Sequence, residues 1–362
     1  MSDRISRLAS TLQEAGIDAF FAWAPVTMRY FTGYGEGAHE RFMALGVNAK
    51  GEVAMICPAL SATQVARAGI KDARPWRDGE DPLALFKTLS DQWNLESSII
   101  AVEDEMPARQ LLEMQGVLPA ALFKPGQSVI STLMRKKDQQ ELDLMCRAAK
   151  IADDALVAGH KAIKVGATEN EVSDALSQEM KRLGGLPTFA IIAAGANGAE
   201  PHHLTDATPL KDGDVVILDF GCDVDGYQSD ITRCACLGRA SDEAKKVYDV
   251  VLRAHMASRD KIRPGVTAGE IDRAGREVIE QAGYGEYFVH RTGHGIGMRG
   301  HEEPYIAPGS EVVIQEGDCF SIEPGIYLPG RFGIRIENIV AVTASGYESQ
   351  NEDPASSLTE LR

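Results

Sequence analysis

The stretch VVILDFGCDVDGYQSDITR at residues 215–233 consists of two apolar-rich runs on either side of an Asp-Gly turn signal. A loop of residues 223–226 would place Asp219 directly opposite Asp230 in an antiparallel hairpin. Directly opposed side chains have Cβ atoms about 4.5–5.5 Å apart, and like charges at that distance destabilise a sheet. The stretch therefore predicts a hairpin whose two carboxylates require a cation.

A second stretch, CFSIEPGIYLPGRFGIRIENI at residues 319–339, repeats the arrangement. A turn centred on Gly330 would bring Glu323 opposite Glu337. Isoleucines beside both acids, such as Ile322 and Ile336, indicate buried strands. Because buried carboxylates need partners, this hairpin also predicts a bound cation.

An internal duplication relates the two hairpins. Residues 163–184 resemble residues 262–283, and residues 211–221 resemble residues 315–325. Each copy has a Thr-x-x-Glu capping box that opens an amphipathic helix before the acidic hairpin. We therefore expect one pseudo-symmetric domain in which the two carboxylate pairs meet at a common centre.

A glycine-rich segment, HRTGHGIGMRGH, supplies a histidine for this centre. Glycines surround His294 and remove side-chain bulk where the backbone must approach closely. Four carboxylates are balanced in charge by two divalent ions, and one imidazole favours Mn, Co, Zn or Fe. The sequence predicts a dinuclear site with the ligands Asp219, Asp230, His294, Glu323 and Glu337.

The first part of the chain alternates helical and strand patterns, such as the strand candidates IDAFFAW and EVAMIC. Lys124-Pro125-Gly126 is the clearest break before the duplicated part. We predict an α+β protein with a smaller α/β domain at residues 1–127 and a catalytic domain at residues 128–362.

Composition excludes some classes of partner. The formal net charge of −16 argues against nucleic acid and anionic membranes, which require clustered Lys and Arg. The start of the chain has no signal-peptide core, and no apolar run reaches the length of a transmembrane helix. Six cysteines without a framework spacing predict a reducing, cytoplasmic compartment.

Five motifs together resemble one enzyme family. LDFG, SDITR, GHGIG, IEPGIY and RIEN occur in the order and approximate spacing of the Xaa-Pro peptidases, which comprise prolidase and aminopeptidase P. The resemblance covers residues 131–345 strongly and the first part more weakly. It implies a pita-bread catalytic domain, metal ligation by the five residues already named, and a homodimer.

The resemblance also implies roles for residues around the ligands. It gives His202 a supporting or proton-handling role. We hypothesise that His202 and His301 stabilise the oxyanion and that Glu323 moves the proton of the attacking water. His290 and His301 are similar to the substrate-contacting histidines of the family, and Arg335 to an arginine that supports the site. For the adjacent His203 we expect no role in the site.

The implied activity is hydrolysis of the Xaa-Pro bond in small peptides with proline in second position, with dipeptides as the first expectation. Many prolidases have an arginine after a His-Glu-x-Pro segment, where it meets the carboxylate of a bound dipeptide, whereas this chain has Tyr305. Aminopeptidase P action on longer peptides, another hydrolysis on the same centre, and a non-catalytic binding module remain alternatives.

Overall fold

The computed structural model describes residues 2–362 and divides into two compact units, Met1–Met134 and Arg135–Arg362. The first unit ends seven residues after the boundary expected at residue 127, because the helix that begins at Gln127 packs with the first unit. None of the helices described combines the length and apolar composition that crossing a bilayer requires.

Over residues 2–134, the first unit contains six α-helices and one mixed six-stranded sheet. The helices are α1 (Ser2–Glu14), α2 (Pro25–Thr32), α3 (Ala62–Arg67), α4 (Pro82–Trp93), α5 (Ala108–Val117) and α6 (Gln127–Met134). The strands are β1 (Ala19–Ala22), β2 (Ala44–Asn48), β3 (Val53–Pro58), β4 (Asp72–Trp76), β5 (Ile99–Val102) and β6 (Leu122–Pro125). They are ordered β4-β3-β2-β1-β5-β6, and the predicted strands IDAFFAW and EVAMIC are β1 and β3.

The second unit contains four long helices and the acidic hairpins. The helices are α7 (Gln139–Ala162), α8 (Glu169–Arg182), α9 (Asp242–Asp260) and α10 (Ala268–Gln281). The strands before residue 240 are β7 (Leu186–Ala194), β8 (Val215–Val224), β9 (Tyr227–Gln228) and β10 (Ile231–Leu237). The later strands are β11 (Gly293–Gly295), β12 (Glu302–Ile306), β13 (Cys319–Ile322), β14 (Gly325–Leu328), β15 (Phe332–Arg335), β16 (Asn338–Val342), β17 (Tyr347–Ser349) and β18 (Thr359–Leu361).

The predicted duplication is visible in the order of these elements. Each half has a long helix, a capped second helix and an acidic hairpin, which are α7, α8 and β8–β10 in the first half and α9, α10 and β13–β16 in the second. Both capping boxes are formed, and each capping threonine also makes an isolated bridge, Thr168 with Pro209 and Thr267 with Val313. The equivalence therefore extends from sequence to local hydrogen bonding.

Strand β8 is buried on both faces, which explains its nearly continuous apolar sequence. Ile217 belongs to a core cluster with Val247 and Ile334, whereas the adjacent Leu218 belongs to a second cluster with Leu176. Any acid on this strand is consequently surrounded by apolar packing.

Candidate metal centre

The residues predicted for the site lie around one cavity of about 330 Å³ in the second unit. They are His202, Asp219, Asp230, His290, His294, His301, Glu323, Arg335 and Glu337. Both halves of the duplication contribute, and the second half provides the larger share.

The predicted register of the first hairpin is wrong by two residues. Asp219 pairs with Thr232, and Asp230 lies in the gap between β9 and β10. The cause is the turn, in which Asp225 and Gly226 have φ of 53° and 92° and form a two-residue loop rather than the four-residue loop expected. A shift of two residues preserves the face of each side chain, so both acids still reach the cavity.

The predicted register of the second hairpin is confirmed. The ladders on both sides of the acids follow the pairing that places Glu323 opposite Glu337, as Ile322 pairs with Asn338 and Gly325 with Arg335. Between the ladders the two acids turn their backbone amides to other segments. Glu323 N donates to Thr292 O (2.8 Å), and Glu337 N donates to Thr232 O (3.2 Å), which joins the two hairpins.

His294 lies on β11, where its neighbouring glycines allow close packing of strands. A Cβ at Gly293 would overlap the carbonyl oxygen of Ser321 on β13. The His294 Nδ1 is 3.1 Å from Gly295 O. Because a carbonyl can only accept, Nδ1 is the protonated nitrogen and Nε2 has a free lone pair. Burial lowers the pKa of His294 to about 4, so the ring is neutral.

This lone pair faces carboxylates. His294 Nε2 is 3.3 Å from Glu323 Oε1 and 3.8 Å from Asp230 Oδ2. One potential ligand atom each from Asp230, His294 and Glu337 lies within 4.8 Å of the others. Potential metal-ligand atoms from these three side chains thus converge on one point.

The acids of the centre lack enough partners of their own. Asp219 Oδ1, Asp230 Oδ1 and Glu337 Oε1 are buried and have no hydrogen-bond partner. Burial raises the pKa of Asp230 and Glu337 well above the usual range, and neighbouring carboxylates raise both further. Unpartnered buried oxygens beside a neutral imidazole fit divalent cations, which would satisfy the oxygens and favour the charged carboxylates.

Arg335 and Tyr327 connect the acids to His290. Arg335 is buried and donates to Asp219 Oδ2 (2.5 Å), Thr232 Oγ1 (3.1 Å) and Tyr327 Oη (2.8 Å). Tyr327 Oη is also 2.8 Å from His290 Nε2, and His290 Nδ1 is 2.7 Å from Arg291 O. Both ring nitrogens of His290 are therefore engaged within the protein, and its predicted contact with substrate stays a prediction.

His301 stacks beside His294, with ring centroids 3.8 Å apart. Its Nδ1 is 3.3 Å from Nη2 of Arg291. Arginine can only donate, so Nδ1 accepts and the proton of the neutral ring lies on Nε2. Burial, followed by the neighbouring His294 and Arg291, lowers the pKa of His301 to about 4. His301 thus offers a neutral N–H donor.

The adjacent histidines 202 and 203 diverge. His202 is exposed at the cavity wall, whereas His203 is buried and pairs through Nε2 with Glu169 (2.7 Å). Glu169 also accepts from Ala194 N and Asn197 Nδ2, so its oxygens are satisfied by the protein. This supports the expectation that only one of the two histidines faces the site.

Three residues of the site were missed by sequence reasoning: Thr232, Tyr327 and Arg291. Thr232 Oγ1 donates to Glu337 Oε2 (2.7 Å), Tyr327 links Arg335 to His290, and Arg291 lines the cavity. All three lie inside the motifs SDITR, IEPGIY and HRTGHGIG. Their short distance along the sequence from the predicted metal ligands could therefore have identified them.

Comparison with known proteins agrees with this geometry. Residues 143–344 match Metallopeptidase family M24, and residues 4–134 match the Creatinase/Prolidase N-terminal domain. The Xaa-Pro dipeptidase of Lactobacillus helveticus is 35% identical over 351 residues, covering 95% of this chain and 95% of that protein.

Solved structures agree as well. Dipeptidase PepE from Mycobacterium ulcerans is 35% identical with a TM-score of 0.94, covering 99% of this chain and 97% of that chain. The prolidase from Thermococcus sibiricus is 33% identical with a TM-score of 0.94, covering 99% and 98%. The resemblance and the fold class inferred from the motifs are confirmed, and the chain belongs to metallopeptidase family M24.

Proposed function

We propose that this protein is a dinuclear-metal dipeptidase that hydrolyses the bond between any first residue and proline. The observation that supports this most directly is the convergence of four carboxylates and one neutral imidazole on a cavity where three carboxylate oxygens have no partner. The proposed ligands are Asp219, Asp230, His294, Glu323 and Glu337. The names of the relatives, Xaa-Pro dipeptidase and prolidase, support the choice of substrate.

The donor set favours two divalent ions, with manganese first and cobalt, zinc or iron as alternatives, because oxygen ligands outnumber the single nitrogen. Bound ions would polarise the scissile carbonyl and activate water as the nucleophile at neutral pH.

The residues of the chain then position substrate and move the proton. Glu323 is the acid best placed to accept the proton of water, because its side chain is 16% exposed whereas that of Asp230 is 9% exposed. Oε1 of Glu323 already accepts from Ser321 Oγ (3.0 Å), so the proton is held on Oε2 and passed to the proline nitrogen. His301 donates from Nε2 to the carbonyl oxygen as negative charge develops, and the exposed His202 is the second candidate donor.

The cavity also suits proline as the leaving residue. Phe189, Ile191 and Pro201 form an apolar part of its wall, against which a pyrrolidine ring can pack. The amide before proline has no N–H, and nothing in the proposed chemistry requires one.

The alternative is removal of a first residue ahead of proline from longer peptides, as in aminopeptidase P. Tyr305 favours this alternative, because it stands where many prolidases have an arginine for the dipeptide carboxylate. Peptide length decides between the two functions.

The test is a peptide panel of two to five residues with proline in second position. The protein is stripped with a chelator, reconstituted with Mn, Co, Zn or Fe(II), and assayed by mass spectrometry, with Ala-Ala as the control for proline. We expect cleavage of Ala-Pro only after metal is restored. Preferential cleavage of the longer peptides would favour the alternative, and cleavage without metal would contradict the mechanism.

A matched pair of variants tests the ligands. Asp230→Asn should bind fewer than two ions per chain by elemental analysis and lose activity. Asp225→Asn changes an exposed acid at the turn of the same hairpin and should keep both. Two bound ions and full activity in Asp230→Asn would refute the assignment.

Several broader features belong to the same proposal. We propose domains at residues 1–127 and 128–362, a homodimer, and a cytoplasmic location. The location is supported by six cysteines that form no disulfide among residues 2–362. Sedimentation analysis of the purified protein tests the dimer.

A further inference from the structure

The cavity contains one cation that the mechanism above does not use. Two arginines line it, Arg291 and Arg335. Arg335 is committed, because its guanidinium bonds to Asp219, Thr232 and Tyr327 and is almost fully buried. Arg291 is the cavity cation that stays available.

Among residues 2–362, the guanidinium of Arg291 contacts one histidine and one tyrosine side chain. Its Nη2 donates to Nδ1 of His301 (3.3 Å), and its guanidinium lies 4.4 Å from the centre of the Tyr305 ring. No carboxylate within residues 2–362 forms an ion pair with it. A guanidinium has five N–H donors, so most of its donor capacity is free for an anion.

Tyr305 orients the side chain of Arg291. Tyr305 lies on β12 directly opposite His294 on β11, so the two side chains lie on the same face of the sheet. Stacking on an aromatic face stabilises a guanidinium, and it reduces the conformational freedom that binding would otherwise remove. The residue that replaces the expected arginine thus acts as a platform for another arginine.

The spacing suits a dipeptide. His301 contacts both Arg291, with 3.3 Å between Nδ1 and Nη2, and His294, with 3.8 Å between the ring centroids. In a dipeptide that ends in proline, the carboxylate lies about 3–4 Å from the scissile nitrogen. A charge-assisted hydrogen bond adds about 2.8 Å. A carboxylate that reached Arg291 would leave the scissile bond near His294 and the acids.

The charges around the cavity favour contact between Arg291 and a carboxylate. The four carboxylates of the proposed ligands would be balanced by two divalent ions, and Arg335 is bonded to Asp219, so Arg291 is the cation of the cavity wall that the acids of the centre do not neutralise. The positive charge of the Arg291 guanidinium is therefore available to a substrate carboxylate that lies beside it.

We propose that Arg291, supported by Tyr305, binds the C-terminal carboxylate of the dipeptide and so selects dipeptides over longer peptides. This inference rests on the proposed dipeptidase function. Arg331 pairs with Glu243 and does not line the cavity.

The test compares Ala-Pro with its C-terminal amide, which differs in charge at one position. The reconstituted wild-type protein should prefer the acid. Arg291→Gln should lower kcat/KM for the acid about 10- to 100-fold, mainly through KM, and change the amide less than about 2-fold. Arg291→Lys should restore part of the preference, and Arg331→Gln should behave as wild type.

Two substitutions of Tyr305 provide a second test. Tyr305→Phe keeps the ring and should keep the preference for the acid, whereas Tyr305→Ala should reduce the acid-to-amide ratio several-fold. Far-UV circular dichroism and metal content confirm that each variant is folded and loaded.

The outcomes separate the possible failures. Equal losses for acid and amide in Arg291→Gln, mainly in kcat, would mean that the arginine acts only through His301 and would overturn the proposal. An unchanged acid-to-amide ratio would also overturn it. If the wild-type protein cleaves neither substrate, the dipeptidase function itself fails, and this inference falls with it.

Discussion

Thr232 provides the sharpest test of how the centre is supported, because one hydroxyl serves two charged groups. It is fully buried, donates to Glu337 Oε2 at 2.7 Å and accepts from Arg335 Nε at 3.1 Å. Thr232→Val keeps the shape and removes both bonds. A hydrogen bond to a charged group is worth about 1.5–3 kcal/mol.

The magnitude follows from the bond to Glu337. If its loss leaves the proposed ligand free to rotate, 1.5–3 kcal/mol corresponds to a loss of metal affinity of about 10- to 150-fold, in the range found for groups that orient metal ligands. The assay is a competition titration of the metal-free protein with Mn and a chelating dye. Activity at saturating Mn should recover to within a few-fold of wild type, since the ligands remain.

The control is Thr232→Ser, which keeps the hydroxyl and should bind Mn within about 3-fold of wild type. Wild-type affinity in Thr232→Val would refute the reasoning, because it would show that Glu337 needs no orientation from this hydroxyl. An equal loss in Thr232→Ser would assign the effect to packing of the methyl group rather than to the hydrogen bonds.

Two further predictions concern stability, both measured by urea unfolding. Burial lowers the pKa of His255 well below its usual value, as do Arg259 and Arg233, and neither ring nitrogen has a partner. The unfolded chain therefore binds the proton more tightly, so the contribution of His255 to the free energy of unfolding is complete above pH 6.5. Below pH 6.5 it is lost by at most about 1.4 kcal/mol per pH unit. His255→Leu should reduce this dependence of stability on pH, and an unchanged dependence would contradict the assignment. Gly293→Ala should destabilise by about 3 kcal/mol or prevent folding, because the new Cβ overlaps backbone, whereas Gly116→Ala, in an open helical position, should be neutral or slightly stabilising.

Local signals in the sequence were sufficient for much of the fold. The capping boxes at Thr168 and Thr267 and the apolar periodicity of the helices depend on neighbours in sequence, and the structure has them as expected. The second hairpin was also predictable, since a turn centred on Gly330 fixes its register.

The first hairpin shows where local reasoning failed. The Asp-Gly signal was recognised, but its preference for a two-residue turn with both residues at positive φ was not applied, and the register moved by two. The acids nevertheless reach the same cavity, because the pleat repeats every two residues. The face of the sheet on which each acid lies was therefore easier to predict than the residue with which it pairs.

The supporting side chains were less accessible to prediction. Arg291 precedes a three-residue strand, and only the tertiary packing of β11 against β12 brings it over Tyr305. Tyr327 likewise gains His290 as a partner from a segment 37 residues earlier in the chain. Such contacts depend on how strands meet, which a pattern of single residues does not encode.

The duplicated halves meet where Glu337 N donates to Thr232 O, with two acids on either side of the join. Two identical half-length chains could gather the same four acids by pairing, but they would bring either two copies of His294 or none. A single imidazole at the shared point requires halves that differ, and one continuous polypeptide guarantees that unlike halves always meet. Covalent fusion thus allowed a symmetric acid cluster to acquire an asymmetric reaction centre.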